Sequence, residues 1–164
     1  MIQTKINNNL FTRKVDILNK EERDLIKQDI DFELENNLCR VVPPYQTYAD
    51  LYSRYQQKGH WKKLYDSLSE LTPNLQLFQC WANLSKENNN FVFHTHDVEL
   101  TCVYYLQNKY PEYGTRLEDG VIVEAIENSV VAFKGNILHS IINMPIILAP
   151  TNPRYSVVFN FNKV

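Results

Sequence analysis

Glycine is scarce in this sequence, with four glycines among 164 residues. Neither glycine-rich phosphate-binding pattern, GxGxxG or GxxxxGK[ST], is present, which argues against a phosphate-cradling loop. Cysteine is scarce as well, and Cys39, Cys80 and Cys102 show no CxxC spacing. An odd number of scattered cysteines predicts reduced thiols rather than a disulfide framework.

Long hydrophobic runs and an excess of charge of one sign are also absent. The chain has 17 Lys and Arg against 19 Asp and Glu, a net charge of -2. This balance gives no electrostatic sign of nucleic-acid or membrane-surface binding. No apolar run approaches the roughly 20 residues that span a bilayer, and the first residues lack the apolar segment of a signal peptide. We therefore expect a cytoplasmic protein that binds neither nucleic acid nor membrane.

Hydrophobic residues are plentiful, at 44% of the chain, and 12% of the residues are aromatic. A chain of this length is typical of one domain and buries roughly 70% of its unfolded surface. We expect a single domain over residues 1–164. Its N-terminal helical part should extend to about residue 73, and a strand-rich core should occupy about residues 74–162.

The hydrophobic period changes along the chain from helical to alternating. Asn19-Lys20-Glu21-Glu22 is a capping-box pattern, which predicts a helix to about Glu35 after a short strand within 10–18. Two helical patterns follow, over about residues 47–57 and 61–71, and Gly59 separates them. After Pro73 the predicted strands are Leu75–Leu84, Asn90–Thr95, Leu100–Gln107, Gly120–Ile126, Val130–Phe133, Ile137–Met144 and Tyr155–Phe161. Helices followed by many short strands indicate an α+β, mainly β fold, best satisfied by a double-sheet jelly roll buttressed by the N-terminal helices.

Two of the four histidines are separated by a single residue in a strand-like segment. His94 and His96 belong to a stretch rich in aromatic and β-branched residues. Residues i and i+2 of a strand project from the same face, so both imidazoles should point toward one site. Two such imidazoles suit Fe, Zn or Cu. His139, in a later strand-like segment, is the third candidate ligand.

An arginine and a serine follow the last histidine. Arg154 opens an otherwise apolar predicted strand, and Ser156 lies two residues later on the same face. An unpaired guanidinium is costly to bury, whereas its planar fork binds a carboxylate through two hydrogen bonds. The pattern favours a carboxylate site, and the alternative is a solvated arginine at the end of a turn.

The order of these residues resembles the motif of the Fe(II)/2-oxoglutarate-dependent oxygenases. That motif has His-x-Asp/Glu, a distal histidine and a downstream Arg, often in Arg-x-Ser. The sequence is most similar to the prolyl-4-hydroxylase-like branch and to a branch of small oxygenases common in bacteria and phages. The resemblance extends over roughly residues 75–162 and includes Cys80-Trp81-Ala82-Asn83-Leu84 and the strand-like segment 101–108.

The resemblance implies a fold, cofactors and a reaction. The fold would be a double-stranded β-helix, or jelly roll, in which Fe(II) is held by His94, His139 and a third ligand. Arg154 and Ser156 would hold 2-oxoglutarate, which Tyr105 would also face. With 2-oxoglutarate and O2, such an enzyme hydroxylates a peptidyl residue, with proline as the first choice, or a small molecule. A phage-encoded protein of this kind would act in the host cytoplasm.

The third ligand is where this sequence departs from the family motif. His96 stands at the position of the usual carboxylate. Strand alternation favours His96, because it turns Asp97 to the opposite face unless a bulge intervenes. Glu99 has the same difficulty. The sequence leaves His96 and Asp97 as the alternatives.

Two other functions are compatible with the sequence. One is a cupin-like dioxygenase with a three-histidine metal and no 2-oxoglutarate, because Glu99 and Asn143 resemble cupin spacing. The other is a jelly-roll binding or assembly module without catalysis. For three remaining residues we expect structural roles, with His60 hydrogen-bonded and Trp61 and Trp81 in the core.

Overall fold

The structure is a computed structural model that describes residues 2–3, 10–40, 44–86 and 92–164. Its helices are α1 (Lys20–Asn36), α2 (Leu51–Tyr55) and α3 (Gly59–Ser67). Its strands are β1 (Ile2–Gln3), β2 (Phe11–Val15), β3 (Leu38–Arg40), β4 (Tyr45–Thr47), β5 (Leu75–Ser85), β6 (Leu100–Gln107), β7 (Thr115–Leu117), β8 (Ile122–Val123), β9 (Ser129–Lys134), β10 (His139–Ile141) and β11 (Arg154–Lys163). A 3-10 turn over Ala149–Thr151 precedes β11. None of the described helices is long and apolar enough to cross a membrane.

Helix α1 begins where the capping box predicts. The side chain of Asn19 accepts a hydrogen bond from the backbone N–H of Glu22, and the Glu22 carboxylate accepts one from the N–H of Asn19, both at 2.9 Å. This exchange satisfies two amides that a helix start leaves without partners. Ile26 and Ile30 on the inner side of the helix are fully buried in the core.

The described strands form two antiparallel sheets. The large sheet has the order β1-β2-β9-β6-β11-β5-β4-β3, and the small sheet has the order β10-β7-β8. One face of the large sheet packs against the helices, in the cluster that also contains Trp61 and Leu64 of α3. This arrangement is the predicted double-stranded β-helix with N-terminal helices, although strands β1 to β4 show that the N-terminal part also contributes to the large sheet.

Alternation along the central strands separates the core from a cavity. In β11, Tyr155, Val157 and Phe159 are buried against the helices. The residues between them, Arg154, Ser156 and Val158, line a cavity on the other face of the sheet. Strands β5 and β6 alternate in the same way, with cavity-lining side chains Trp81, Asn83, Ser85, Val103, Tyr105 and Gln107. Three adjacent strands therefore supply one wall of the cavity.

Several predicted boundaries are wrong. Thr47 belongs to β4 rather than to a helix, because its hydroxyl accepts a hydrogen bond from the backbone N–H of Ala82 on β5 at 3.0 Å. Gly59 begins α3 instead of separating two helices. The predicted strands over 120–126 and 137–144 shorten to β8 and β10, and β7 was not predicted. The small sheet is made of two- and three-residue strands, which are too short to leave a clear alternation pattern.

The predicted strand Asn90–Thr95 is also not a regular strand. Residues 90 and 91 lie outside the described part of the chain, and residues 92–95 form a single bridge, between His94 and His139. The prediction of one domain over residues 1–164 stays a prediction.

Candidate metal and cosubstrate site

Backbone pairing brings the three candidate histidines together. The N–H of His94 donates to the carbonyl of His139, and the N–H of His139 donates to the carbonyl of His94, both at 3.0 Å. The N–H of His96 donates to the carbonyl of Gly135 at 2.8 Å. A Cβ at position 135 would lie 2.2 Å from the carbonyl oxygen of Val98, so this close approach of two backbones requires glycine.

The histidine nitrogens have the spacing of ligands to one ion. One nitrogen from each of His94, His96 and His139 lies within 4.8 Å of the other two. The Nε2 atoms of His96 and His139 are 3.2 Å apart. Two nitrogens at about 2.1 Å from an ion, with an angle of roughly 90–110° between them, are about 3.0–3.4 Å apart. The separation of this pair therefore fits two ligands of a single transition-metal ion, and the nearby nitrogen of His94 is the candidate third ligand.

Hydrogen bonds to backbone carbonyls select the free nitrogen of two rings. Nδ1 of His94 lies 3.1 Å from the carbonyl of Val92, and Nδ1 of His139 lies 2.8 Å from the carbonyl of Ile137. A carbonyl only accepts, so each Nδ1 carries the ring proton and each Nε2 keeps a lone pair. Metal-binding histidines are commonly oriented by such contacts.

Burial keeps two of the three imidazoles neutral. His139 is 5% exposed, His96 is half-buried and His94 is exposed. Burial, together with the neighbouring imidazoles, lowers the pKa of His96 to about 4. Burial also lowers the pKa of His139 to about 4. Both rings are therefore in the neutral form that binds metals at pH 7.

Arg154 is a buried cation beside the same cavity. Its side chain is 8% exposed, and Nη1 donates to the carbonyls of Tyr113 at 2.7 Å and Ile142 at 2.8 Å. Burial lowers the pKa of Arg154 to about 10, which leaves the guanidinium charged at pH 7. Within the described residues no carboxylate is in ion-pair contact with it. A buried, charge-unpaired guanidinium on a cavity wall favours an anionic ligand.

Tyr105 and Ser156 stand next to Arg154 on the cavity wall. Ser156 is the antiparallel partner of Tyr105 in the register of β11 and β6. The Tyr105 hydroxyl is 3.0 Å from that of Thr115, and burial raises the pKa of Tyr105, so it stays a neutral hydroxyl. Asn83 Nδ2 lies 3.5 Å from the Ser156 hydroxyl. Two hydroxyls are thus available beside the guanidinium.

One cavity of about 350 Å³ contains both groups of residues. The three histidines and the set Tyr105, Arg154 and Ser156 all line it. A volume of this size is in the range of small-molecule sites.

The carboxylates proposed as alternative ligands lie elsewhere. Asp97 and Glu99 are exposed, and neither belongs to the group of atoms that could share an ion or to the cavity lining. Glu99 instead forms a 3.5 Å ion pair with Lys163. Asn143 is exposed as well.

Of the three residues with predicted structural roles, His60 and Trp61 have the expected surroundings and Trp81 does not. His60 Nε2 lies 2.8 Å from Asp29, as expected for a hydrogen-bonded histidine, and Trp61 is fully buried. Trp81 is not a core residue, because alternation along β5 turns it into the cavity, where it stacks on His96 with ring centroids 5.6 Å apart. Asn160, which contacts His96, was not singled out in the sequence. Asn160 lies an even number of residues from Arg154 and Ser156, so strand alternation would have predicted all three on the same face of the strand.

Comparisons with known proteins identify the fold. No protein-family profile matches the sequence, and no curated protein matches it. Among solved structures, a prolyl 4-hydroxylase from Phytophthora capsici is similar over 94% of this chain, with a TM-score of 0.68 and 13% identity. This chain spans 59% of that protein's length.

Two further structures extend the comparison. A Pseudomonas putida prolyl-4-hydroxylase has a TM-score of 0.62 and 20% identity, over 94% of this chain and 92% of that one. HygX from Streptomyces hygroscopicus, with nickel, 2-oxoglutarate and hygromycin B bound, has a TM-score of 0.63 and 11% identity, over 94% and 83%. The fold is thus a double-stranded β-helix. More narrowly, it is the fold of the prolyl-4-hydroxylase-like 2-oxoglutarate/Fe(II) oxygenases.

Proposed function

We propose that the protein is an Fe(II)- and 2-oxoglutarate-dependent dioxygenase that hydroxylates its substrate. The observation that carries this proposal is a single cavity that contains three clustered imidazoles together with a buried, charge-unpaired arginine. The fold shared with 2-oxoglutarate oxygenases supports it, and HygX binds nickel and 2-oxoglutarate. A cytoplasmic location and a single domain over the whole chain belong to the same proposal.

The residues of the cavity have separate tasks. His94, His96 and His139 would hold Fe(II), and three protein ligands leave positions open on the ion for a cosubstrate and O2. Arg154 and Ser156, with Tyr105 beside them, would bind the distal carboxylate of 2-oxoglutarate. When bound, iron and 2-oxoglutarate supply the oxidation: O2 and 2-oxoglutarate give succinate and CO2, and one oxygen atom enters a C–H bond of the substrate.

The protein's own contribution is position and charge. The Arg154 guanidinium is fixed by two carbonyls, so its orientation does not have to be organised when a carboxylate arrives. The pKa of Tyr105 is raised by burial, which keeps its hydroxyl a hydrogen-bond donor. Two arginines line the cavity, Arg40 and Arg154, and Arg154 is the buried one, so we assign it the distal carboxylate of the 2-oxoglutarate dianion.

For the substrate we propose a chemical class and no single compound. Two similar structures are prolyl 4-hydroxylases, and HygX binds hygromycin B, so the fold accepts both classes that we consider. We propose a peptidyl residue, with proline as the first choice, or a small molecule.

The two alternative functions have less support. In a cupin-like enzyme Glu99 and Asn143 would stand near the metal, whereas both are exposed and outside the histidine cluster. Such an enzyme also has no task for Arg154 and Ser156. A binding module without catalysis has no need of neutral clustered imidazoles beside a buried cation.

Uncoupled turnover tests the proposed function without knowledge of the substrate. The purified protein is incubated with Fe(II), ascorbate, O2 and 2-oxoglutarate labelled at C1, and released CO2 and succinate are measured. We expect Fe(II)-dependent decarboxylation that His139→Ala abolishes. If the iron-loaded wild type binds metal yet produces neither succinate nor CO2, the 2-oxoglutarate function is wrong and the cupin-like alternative gains support.

A further inference from the structure

A buried pair of polar side chains, Asn160 and Thr101, contacts His96 through Asn160. Asn160 on β11 and Thr101 on β6 are directly opposite each other in the antiparallel register. Asn160 is 1% exposed and Thr101 is 0% exposed. The Thr101 hydroxyl donates to Oδ1 of Asn160 at 2.9 Å. Nδ2 of Asn160 is 3.2 Å from Nδ1 of His96.

This amide orientation determines which nitrogen of His96 carries the proton. An amide NH2 group only donates, so Nδ1 of His96 must accept and Nε2 must carry the ring proton. With no metal between them, the Nε2 atoms of His96 and His139, 3.2 Å apart, can share that proton. Nδ1 of His139 donates to the Ile137 carbonyl, so Nε2 of His139 is free to accept the proton of His96.

Metal binding requires the other tautomer of His96. A metal takes the lone pair of the nitrogen that faces it, so Nε2 must lose its proton and Nδ1 must gain one. Nδ1–H then needs an acceptor, which the amide oxygen of Asn160 supplies after a half-turn of the carboxamide. The Thr101 hydroxyl tolerates both orientations, because a hydroxyl donates and accepts.

The imidazole itself is held against rotation. Trp81 stacks on His96 with an angle of 25° between the ring planes, and the backbone N–H of His96 is bonded to Gly135. A half-turn of the Asn160 carboxamide exchanges its oxygen and its NH2 group, which are nearly equal in size. The amide therefore changes orientation at lower cost than the ring.

From these contacts we propose that Asn160 is the positioning residue of His96, and that its amide orientation selects the nitrogen of His96 that binds the metal. This inference rests on the proposed metal site. It assigns Asn160 and Thr101 a task toward that site. In one orientation of the Asn160 amide, the proton of His96 stays on Nε2, which then contacts Nε2 of His139. In the other orientation, the proton lies on Nδ1 of His96, and the Nε2 atoms of both histidines are free to bind metal.

Two substitutions of Asn160 separate this role from simple packing. Asn160→Leu keeps the size but removes both hydrogen-bonding groups. Asn160→Asp offers only acceptor oxygens to Nδ1 and so fixes the proton there. Asn162→Leu is the matched control: Asn162 lies two residues along the same strand, and its side chain accepts a hydrogen bond from the N–H of Glu99 instead of contacting a histidine.

The first measurement is the affinity for Zn(II), used as a diamagnetic probe, by calorimetry against a competing chelator. Loss of an orienting partner typically weakens metal binding by about 10–100-fold, so Asn160→Leu should show that loss while Asn160→Asp and Asn162→Leu stay within about threefold of wild type. An affinity of Asn160→Leu equal to that of wild type would overturn the inference and leave the metal site intact. Failure of the wild type to bind Zn(II) would instead refute the metal site itself.

The second measurement is the tautomer, read from nitrogen-15 chemical shifts of the imidazoles, and it does not depend on how well Asn160→Leu folds. In chelator-treated protein above pH 7, His96 should carry its proton on Nε2 in the wild type and on Nδ1 in Asn160→Asp. Zinc should move the wild-type proton to Nδ1. The same tautomer in the wild type with and without zinc would contradict the proposed selection.

Discussion

His94 and His139 donate backbone hydrogen bonds to each other, at 3.0 Å in both directions, and their ring centroids are 4.4 Å apart. This reciprocal pair joins a segment with no regular strand to the first residue of β10. The distance between two candidate ligands is therefore fixed by the backbone. Backbone hydrogen bonds therefore place His94 and His139 side by side at the cavity.

Metal content is the first prediction. We expect about one equivalent of Fe(II), or of Zn(II) as a surrogate, per chain. His94→Ala and His139→Ala should each lose most of it, because two remaining imidazoles hold a divalent ion far more weakly than three. Elemental analysis after gel filtration measures this, with His60→Ala as the control, since His60 is hydrogen-bonded to Asp29 outside the cluster. Unchanged metal in His139→Ala would contradict the assignment.

The second prediction concerns the carboxylate site. A charge-assisted pair is worth roughly 1.5–3 kcal/mol, so Arg154→Leu should weaken 2-oxoglutarate binding by about one to two orders of magnitude and leave the metal bound. Ser156→Ala should weaken it less, because it removes a neutral hydroxyl. Arg116→Leu is the matched control, an exposed arginine outside the cavity. Equal calorimetric affinities of Arg154→Leu and Arg116→Leu would contradict the role of Arg154.

The third prediction separates the two candidate third ligands. His96 lines the cavity and Asp97 is exposed outside it, so His96→Ala should reduce iron retention and decarboxylation more than Asp97→Ala does. His96→Asp should keep substantial metal, because a carboxylate oxygen also suits Fe(II). Iron analysis and uncoupled turnover rank the three variants. The reverse ranking, with Asp97→Ala inactive and His96→Ala nearly normal, would give the position to Asp97.

The fourth prediction is a pH dependence of stability in the presence of a chelator. The pKa values of His96 and His139 are about 4 in the folded protein, against roughly 6.5 for an unfolded histidine. The unfolded chain therefore binds more protons between pH 4 and 6.5, and the free energy of unfolding rises with pH across that window. The contribution of each histidine is complete above about pH 6.5 and is lost as the pH falls toward 4.

Urea unfolding at pH 7 and pH 5 measures this effect. We expect the wild type to lose roughly 1–2 kcal/mol per buried histidine between the two conditions. His139→Gln, which cannot take up a proton, should lose correspondingly less. Equal losses for wild type and His139→Gln would show that burial does not hold His139 neutral.

The sequence predicted the long elements for physical reasons, and the six residues that it proposed for the site all line the cavity. The capping box at Asn19 and the alternation over Leu100–Gln107 are local signals, and both elements lie where these signals place them. Period-two spacing also brought Arg154 and Ser156 to one face. The fold of the prolyl-4-hydroxylase-like oxygenases was predicted from the order of His, His and Arg-x-Ser.

The features that the sequence did not reveal depend on partners distant in the chain. The segment around His94 contacts residues 135 and 139 without forming a strand, so its pairing has no local signal. Trp81 was expected in the core, because the alternation of side chains along β5 does not say which of its two faces meets the helices. The contact between Asn160 and His96 depends on the register of two strands.

Anaerobic titration of the Fe(II)-loaded protein with 2-oxoglutarate tests the central claim most directly. If the three histidines hold iron and Arg154 holds the far carboxylate, the keto acid should chelate the iron and give a weak visible charge-transfer band. That band should saturate at one equivalent and should require about 10–100 times more 2-oxoglutarate in Arg154→Leu. Iron-loaded wild type that develops no band at any concentration of 2-oxoglutarate would contradict the proposed function.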